Sequence, residues 1–390
     1  MTQTNMSEHA DVLVVGGGPV GALAALRLAR QGRSVMLLEA RAKDAEVRDA
    51  RALALSWHSR VLLEDAGAWP DGLPATHIDT VHVSQQGSCG RTRLDREDLD
   101  LPHLGAVVDY PALVAGLGGA LEQAGVQVRW QCRVTAVKSL SQYACAEVET
   151  PEGRLLLTGR LLALAEGGAL AETLPGIRRL THDYHQCAVL AEVGTELPPQ
   201  GVAYERFAHD GPFALLPHGE RYMLVWTRSQ ADAERLLAAD ESVLREELQL
   251  AFGERQGRIL AVGPRASFPL VLRQASRVAS GRVALIGNAA QTMHPVAAQG
   301  LNLGLRDAVG LAEALGLAAD PGDAAALRRY AAARRLDSQA VVGFTHGLIK
   351  LFDGHHPLVN RLRGAGMTAL DALPALRRKF AGHLVFGVQG

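Results

Sequence analysis

Gly16, Gly18 and Gly21 stand in GxGxxG spacing, Pro19 lies among them, and the acidic Glu39 follows downstream. Each type has a chemical reason. The first glycine makes a tight turn, the second lets backbone approach a pyrophosphate, and the third lets a helix pack closely on its strand. The helix N-terminus then faces phosphate, and an acid at the end of the next strand can accept hydrogen bonds from ribose hydroxyls. This is dinucleotide-binding chemistry. A second group lies in LIGNAAQTMHPVAAQGLNLGLRDA, residues 285–308, and comprises Gly287, Asn288, His294, Pro295, Gln299, Gly300, Leu301 and Asn302. A helix opened by glycine offers N–H groups without intrahelical partners and a partial positive charge. Pro295 fixes a turn, and Gly300 permits close approach to a flat ring. A reduced flavin, anionic at N1 and the C2 carbonyl, suits such a helix start. The fingerprint alone does not choose between FAD and NAD. A second glycine-rich element near residue 300 favours a flavin, which must be held at both its adenosine end and its ring end.

The elements that must position these groups follow from pattern. Val12–Val15 reads as a buried parallel strand, Ala22–Arg30 as a helix, and Ser34–Leu38 as a second strand, giving one βαβ unit. Arg282–Ile286 reads as a strand, followed by a long loop and a helix with apolar positions Leu301, Leu305, Ala308, Ala312 and Leu315 at helical spacing. Between the two ends, a helix is expected near Pro111–Ala124, and strands at VQVRW, CAEVET, RLLLTG and LLALA. Further strands are expected at CAVLAEV, AYERF, FALLPH and YMLVWTR, with helix over 233–252.

The chain has 390 residues, 48% hydrophobic, with a formal net charge of -1. That length fits two domains or one large one, and near-neutral charge gives no reason to expect nucleic acid. Cys89, Cys132, Cys145 and Cys187 show no CxxC spacing, which argues against a disulfide framework or a zinc site, so no metal is expected. The polar opening MTQTNMSEHA does not read as a secretory leader, and no run of about 18 apolar residues reads as a membrane span. A cytoplasmic protein is expected, with peripheral contact to the inner membrane as the alternative.

The stretches GGGPVGALAALRLA, RALALS and GNAAQTMHPVAAQGLNLGLRDA together resemble the class A FAD-dependent aromatic hydroxylases. Within them the chain resembles the ubiquinone-biosynthesis hydroxylase family, and most the 2-octaprenyl-6-methoxyphenol hydroxylase type. DYHQCAVLAEV (183–193), AYERFAHDGPFALLP (203–217) and the Tyr330/Arg334/Arg335 region extend the likeness over nearly the whole chain. Two positions depart from the wider pattern. Asn288 replaces the usual aspartate after Gly287, which the 6-methoxyphenol type commonly does. Glu166, in AEGG, replaces the aspartate of Ala-Asp-Gly, and reads either as a cofactor contact or as a capping acid.

The resemblance implies an α/β fold with a Rossmann-like FAD-binding domain of the para-hydroxybenzoate hydroxylase kind. It is interleaved with a mostly antiparallel β-sheet substrate domain and ends in helices. Residues 1–75, 105–175 and 276–390 are expected in the FAD-binding domain, and 76–104 and 176–275 in the substrate domain. It implies a monooxygenase using FAD, O2 and either NAD(P)H or another electron donor, which hydroxylates a polyprenylated (methoxy)phenol through a flavin C4a-hydroperoxide. The alternatives are another ring position, a small soluble phenol, or a flavin-binding accessory protein without turnover. Gly16, Gly18, Pro19, Gly21, Glu39, Arg51, Glu166, Gly287, Asn288, Gly300, Leu301 and Asn302 are the expected cofactor contacts. Arg51 is expected near the phosphates, where its guanidinium suits an anionic oxygen, with a surface pairing to Glu46 or Asp49 as the competing reading. His294, Pro295 and Gln299 are the catalytic candidates. His294 is either a titratable group at the flavin or a loop-bonding histidine. Tyr204, Phe207, Phe213, Leu215 and Pro217 are the expected substrate pocket, against the plainer reading that strand aromatics pack in a core. A lipophilic polyprenylphenol, a ubiquinone-biosynthesis protein complex and a membrane surface are the implied partners. The last rests also on the leucines and basic residues of 354–387, which otherwise read as docked terminal helices.

Overall fold

The computed structural model describes residues 8–46, 51–87, 90–208, 211–295, 298–316, 318–352 and 357–387. Its first sheet has eight strands. The strand His9–Val15 lies at its centre, paired in parallel with Gly153–Leu164 on one side and Val35–Leu38 on the other. Val12, Leu13 and Val14 are fully buried, which is why the run is continuously apolar rather than alternating. Val283–Leu285 adds in parallel to Gly153–Leu164, and Gln127–Arg129 to Val35–Leu38. The first half of Gly153–Leu164 turns antiparallel to Ala144–Thr150, which pairs with Arg133–Ser139. RLLLTG and LLALA, read separately from sequence, are one strand, because Gly159 does not break it.

The helix Pro19–Arg30 packs on this sheet against Tyr110–Gln123 and Gln299–Leu315. Its close approach depends on glycine. A Cβ on Gly21 would meet the Gly16 carbonyl oxygen at 2.0 Å, and one on Gly304 would meet Val20 Cγ2 at 2.8 Å. Gly300 meets nothing nearer than Met293 at 3.8 Å, so within the protein Gly304 is the residue that needs to be small.

The second sheet also has eight strands. Thr80–Gln85 and Arg91–Asp95 form one edge, followed by Val202–Ala208, Gly211–His218, Arg221–Ser229, Arg179–Thr195 and Ile259–Ala275. Gln291–Thr292 closes the other edge, reaching across from the segment that follows the first sheet. The excursion into this sheet from the first part of the chain runs from Thr80 to Asp95. Ala75–Ile78 instead pairs with Gly105–Asp109, which pairs with Ala52–Ser56, in a separate three-stranded sheet. The helical segment expected at 233–252 is two helices, Gln230–Ala238 and Glu241–Phe252. Ser229 caps the first, accepting from Asp232 N.

The chain ends in Ala324–Phe352, Pro357–Ala372 and Pro374–Phe386. The last helix docks rather than floats. Ala381 and Val385 join the apolar cluster of Ile78, Leu94, Leu104 and Val107, and Arg377 grips Asp98 with Nη2 to Oδ1 at 2.8 Å. No helix among the described residues is long and apolar enough to cross a membrane.

Candidate active site

Two cavities meet between the sheets, sharing Gly18, Arg51, Tyr110, Ala165, Glu166, Leu190, Met223 and Phe268 in their walls. The first, about 1100 Å³, runs over Gly16–Gly18, Leu38–Arg41 and Cys132–Val134. The second, about 670 Å³, runs over Gly18–Val20, Arg51–Ser56, Gly287–Asn288, Thr292–Pro295 and Ala298–Asn302, then on into apolar sheet wall. The two glycine-rich elements, far apart in sequence, therefore border one long trough.

At the first end the turn is tight. Gly16 has φ +103, and a Cβ there would lie 2.9 Å from the Ala165 carbonyl carbon. Only glycine adopts that geometry without strain. Gly17 N donates to Glu39 Oε2 at 2.7 Å, while Glu39 Oε1 accepts Arg41 N at 2.9 Å and Arg41 Nε at 3.1 Å. Glu39 is buried. A carboxylate has about four lone-pair sites, so capacity for sugar hydroxyls remains. Gly18 caps the helix without a side chain and Pro19 opens it, leaving first-turn N–H groups to face the trough. These residues fit a dinucleotide: a glycine cradle, a helix N-terminus and a carboxylate on the same wall.

Arg51 is exposed on the wall, its guanidinium carbon 5.9 Å from the Tyr110 ring centroid and 5.5 Å from that of Phe268. Stacking between two rings holds the cation at the junction of the cavities. Of its two competing partners, Glu46 lines the first cavity together with Arg51, while Asp49 lies outside the described residues, as do Val296 and Ala297 of the loop after Pro295.

Glu166 behaves as a cap. Its Oε1 accepts Gly168 N at 3.0 Å and its Oε2 accepts Ala169 N at 3.0 Å. The loop it shapes is stitched by Arg179, which donates Nη1 to Gly168 O at 3.0 Å, and Nη2 to Gly167 O at 3.2 Å and Asn288 O at 3.1 Å. Asn288 is thus held by its carbonyl, and as an exposed residue it lines the second cavity. Arg179 was not expected from sequence; an arginine opening a strand carries no motif.

At the second end, Ala298 takes a left-handed φ of 50 and the helix Gln299–Leu315 begins. The side chain of Asn302 is committed to the protein. Oδ1 accepts Ser56 N at 2.9 Å, and Nδ2 donates to Ala298 O at 2.7 Å and Ala54 O at 3.2 Å. It ties the helix start to the strand Ala52–Ser56, and Gly300 and Leu301, whose first-turn N–H groups have no intrahelical partners, line the cavity. Gln299 is buried and donates to Leu384 O at 3.2 Å, so it anchors the last helix. Pro295 lines the cavity. His294 is fully buried, edge-on to Tyr184 with ring centroids 5.4 Å apart. Burial drives its pKa down to about 4. Burial thus favours the neutral imidazole, which weighs against the first of the two readings of His294, a group titrating near neutrality.

Behind this helix start lies a charge network that sequence reading did not find. Asp307 accepts Gly287 N at 3.0 Å, Gln291 Nε2 at 2.7 Å and Arg334 Nε at 2.6 Å. Asp337 accepts Arg306 Nε at 2.8 Å and is ion-paired with Arg334, whose Nη2 lies 2.9 Å from its Oδ2. Burial works against the Arg334 charge, but Asp307 and Asp337 outweigh it and raise its pKa. Tyr330 donates to Leu285 O at 2.7 Å. The signals were polar residues on an otherwise apolar helix, at Arg306-Asp307, and the Tyr330/Arg334/Arg335 region of the resemblance, neither of which gave the pairing.

The substrate wall needs correction. Phe213 and Leu215 point to the opposite face of the second sheet, into a core with Trp226, Leu236, Leu244 and Phe252; Tyr204 packs in that core too and, of the five expected pocket residues, is the one that also borders the second cavity. Tyr204 packs edge-on to Phe252 at 5.1 Å and receives a hydrogen bond from Gln256 at 2.5 Å. Pro217 shares that face by alternation. Phe207 is buried, but neither it nor Phe213, Leu215 or Pro217 lines either cavity. The cavity wall is the other face: Ala203, Glu205, Ala214, Leu216, Met223 and Val225, facing Leu384 and Val385 of the last helix. Large aromatics had suggested a pocket, but they cover the helix-packed side, where more apolar area can be buried.

Comparison with known proteins agrees with this geometry. Residues 9–345 match the family described as an FAD binding domain. The chain is 33% identical to the ubiquinone hydroxylase UbiL of Rhodospirillum rubrum, over 96% of this chain and 89% of that protein. It is 28% identical to 3-demethoxyubiquinol 3-hydroxylase of Escherichia coli K12, over 96% of this chain and 97% of that protein. Among solved structures, p-nitrophenol 4-monooxygenase PnpA from Pseudomonas putida DLL-E4 shares the fold, with a TM-score of 0.79 at 20% identity, covering 96% of this chain and 97% of that one.

Proposed function

The chain belongs to the FAD binding domain family as an FAD-dependent aromatic hydroxylase, and from that premise we propose that it hydroxylates a polyprenylated phenol in ubiquinone biosynthesis. The observation that carries this reading is the second cavity. It continues from the helix start Gln299–Asn302 into a wall of Ile78, Val81, Leu94, Leu104, Leu216 and Val225. A hydrophobic chamber opening from the flavin end suits an aromatic head with a prenyl tail.

In the reaction, the trough residues hold FAD: Gly16–Gly18, Glu39 and Arg51 toward its adenosine and phosphates, and the N–H groups of Gly300 and Leu301 toward its ring. When bound, and reduced by NAD(P)H or another donor, the flavin supplies the activation of O2. The chain's own work is positional. The apolar wall excludes water from the reacting centre. Neutral His294 and Pro295 shape the loop over the ring site without adding charge. Gln299 fixes the last helix as the far wall.

The proposed ring position is that of the 2-octaprenyl-6-methoxyphenol type, supported by the neutral Asn288 on the cavity lining, where a carboxylate is commoner. Access of a lipophilic substrate suggests peripheral contact with the inner membrane or with a biosynthetic complex. Exposed Leu373 and Leu376 stand with Arg378 and Lys379 on the helix whose inner side borders the cavity. The test is genetic. The gene is introduced into a strain deleted for its own ubiquinone ring hydroxylase, and quinone and accumulated phenols are measured. Restoration supports the reading, and the phenol that disappears identifies the ring position. Failure to restore any of the ring hydroxylations, with the protein expressed and yellow, overturns it.

A further inference from the structure

Glu205 is the charged residue on the sheet wall of the second cavity. It lies in Val202–Ala208, between Val83 of one neighbouring strand and Ala214 of the other. Around it the cavity presents Val81, Ala203, Leu216, Val225, Leu384 and Val385. Its carboxyl makes no hydrogen bond or ion pair among the described residues, and the surface it keeps opens into the cavity. Carboxylates in apolar surroundings are costly unless partnered. A site that keeps one there, facing a chamber, is short of a partner that the ligand can supply.

We propose that Glu205 is the catalytic base of this enzyme, accepting the proton of the substrate's ring hydroxyl. This rests on the aromatic substrate read above. In the step, the phenolic O–H bond breaks and an O–H bond to the Glu205 carboxylate forms. The electron pair stays on the ring oxygen as phenolate, which enriches the ring carbons that receive oxygen. One oxygen atom of the flavin-activated O2 bonds to the ring carbon as the O–O bond breaks; as the ring regains aromaticity its carbon-bound hydrogen leaves as a proton to the other oxygen atom, which departs as water. Glu205 returns its own proton to the original oxygen and ends the cycle ionised.

Burial pushes the Glu205 carboxyl up to about 8. No charged neighbour contributes: the flanking strands offer Val83 and Ala214, the last helix offers Ala381, Leu384 and Val385, the ionisable wall residues Arg51, Tyr110, Glu166 and His294 stand on other elements, and Tyr204, next in the same strand, accepts a hydrogen bond from Gln256 at its hydroxyl. A base near that value is far better matched to a phenol than an ordinary carboxylate. Because the ionised form is the active one, hydroxylation rises with pH through about 8 and levels above it.

The test uses FAD-loaded wild type, Glu205→Gln and Glu205→Asp, with flavin content and melting temperature checked for each. Turnover is measured with 2-farnesylphenol from pH 6 to 9.5, and ionisation is read from the colour of 2-geranyl-4-nitrophenol on binding. We expect Glu205→Gln to keep its flavin, to lose about 10²–10⁴-fold in hydroxylation, and to lose the rise near pH 8. Glu205→Asp recovers part of the rate. The bound probe should release its proton to wild type and not to Glu205→Gln. Wild-type rate and pH profile in Glu205→Gln, equal probe ionisation in both proteins, or no probe binding, each overturns the proposal. If wild type ionises the probe in a Glu205-dependent way but hydroxylates no phenol, the assigned reaction fails while the phenol-binding role of Glu205 stands.

Discussion

Asn302 Oδ1 accepts the backbone N–H of Ser56 at 2.9 Å, joining the helix that opens onto the ring end of the trough to the strand Ala52–Ser56 that walls it. With Nδ2 bonded to two further carbonyls, the side chain is fully used inside the protein. Asn302→Ala strands the buried N–H of Ser56, which costs about 1–3 kcal/mol if left unmet, and removes two further side-chain hydrogen bonds. The expected result is a clearly lower melting temperature and weaker FAD retention on gel filtration. A variant that melts like wild type would show the clamp to be dispensable.

The Asp307–Arg334 pair, 2.6 Å apart and buried, supports the turn at Gly287 as well as the two helices. Removing one partner of such a pair costs about 3–5 kcal/mol. Arg334→Met should therefore unfold at lower urea and lose flavin. Replacing Asp307 by Asn at the same time should recover part of the loss, since no buried charge is then left opposite the gap. Strict additivity of the two changes would argue that they do not interact.

His294 gives a pH prediction. Its native pKa of about 4 lies below the ordinary value of 6.5. The unfolded chain then binds more protons than the native one between these values, so stability falls as pH drops from about 6.5 through about 4. The full difference is about 3 kcal/mol. Denaturation followed from pH 7 to 4 should show a smaller acid loss in His294→Gln than in wild type. Hydroxylation should show no step near pH 6.5 that disappears in this variant.

The two faces of the second sheet predict opposite phenotypes. Phe213 is fully buried against Trp226 and Phe252, so Phe213→Ala should cost about 3–5 kcal/mol. Leu216 faces the cavity, so Leu216→Trp should leave the melting temperature nearly unchanged while raising KM for long-tailed phenols. The reverse pattern would place the chamber on the other face.

Much of this was legible in the sequence, for local reasons. The βαβ unit at 11–40 and the Gln299–Leu315 helix announce themselves through glycine spacing and periodic apolar residues, and both border the trough. What escaped reading was non-local. Whether Tyr204 or Glu205 faces the chamber depends on which side of the sheet the helices Gln230–Ala238 and Glu241–Phe252 cover, and alternation alone leaves that sign open. Asn302 looked like a cofactor contact because it sits at a helix start; its Ser56 and Ala54 partners lie far earlier in the chain. For Glu166 the sequence left a cofactor contact and a capping acid side by side, and its bonds to Gly168 N and Ala169 N are those of the capping acid.

The central claim is that oxygen from O2 enters a prenylated phenol in this protein's second cavity. The direct measurement reduces the FAD-loaded protein anaerobically, adds 2-farnesylphenol and ¹⁸O2, and analyses the products by mass spectrometry. The account predicts a hydroxylated farnesylphenol carrying one ¹⁸O atom. Flavin reoxidation that yields only hydrogen peroxide, with this phenol and with methoxylated and longer-tailed ones, would contradict it.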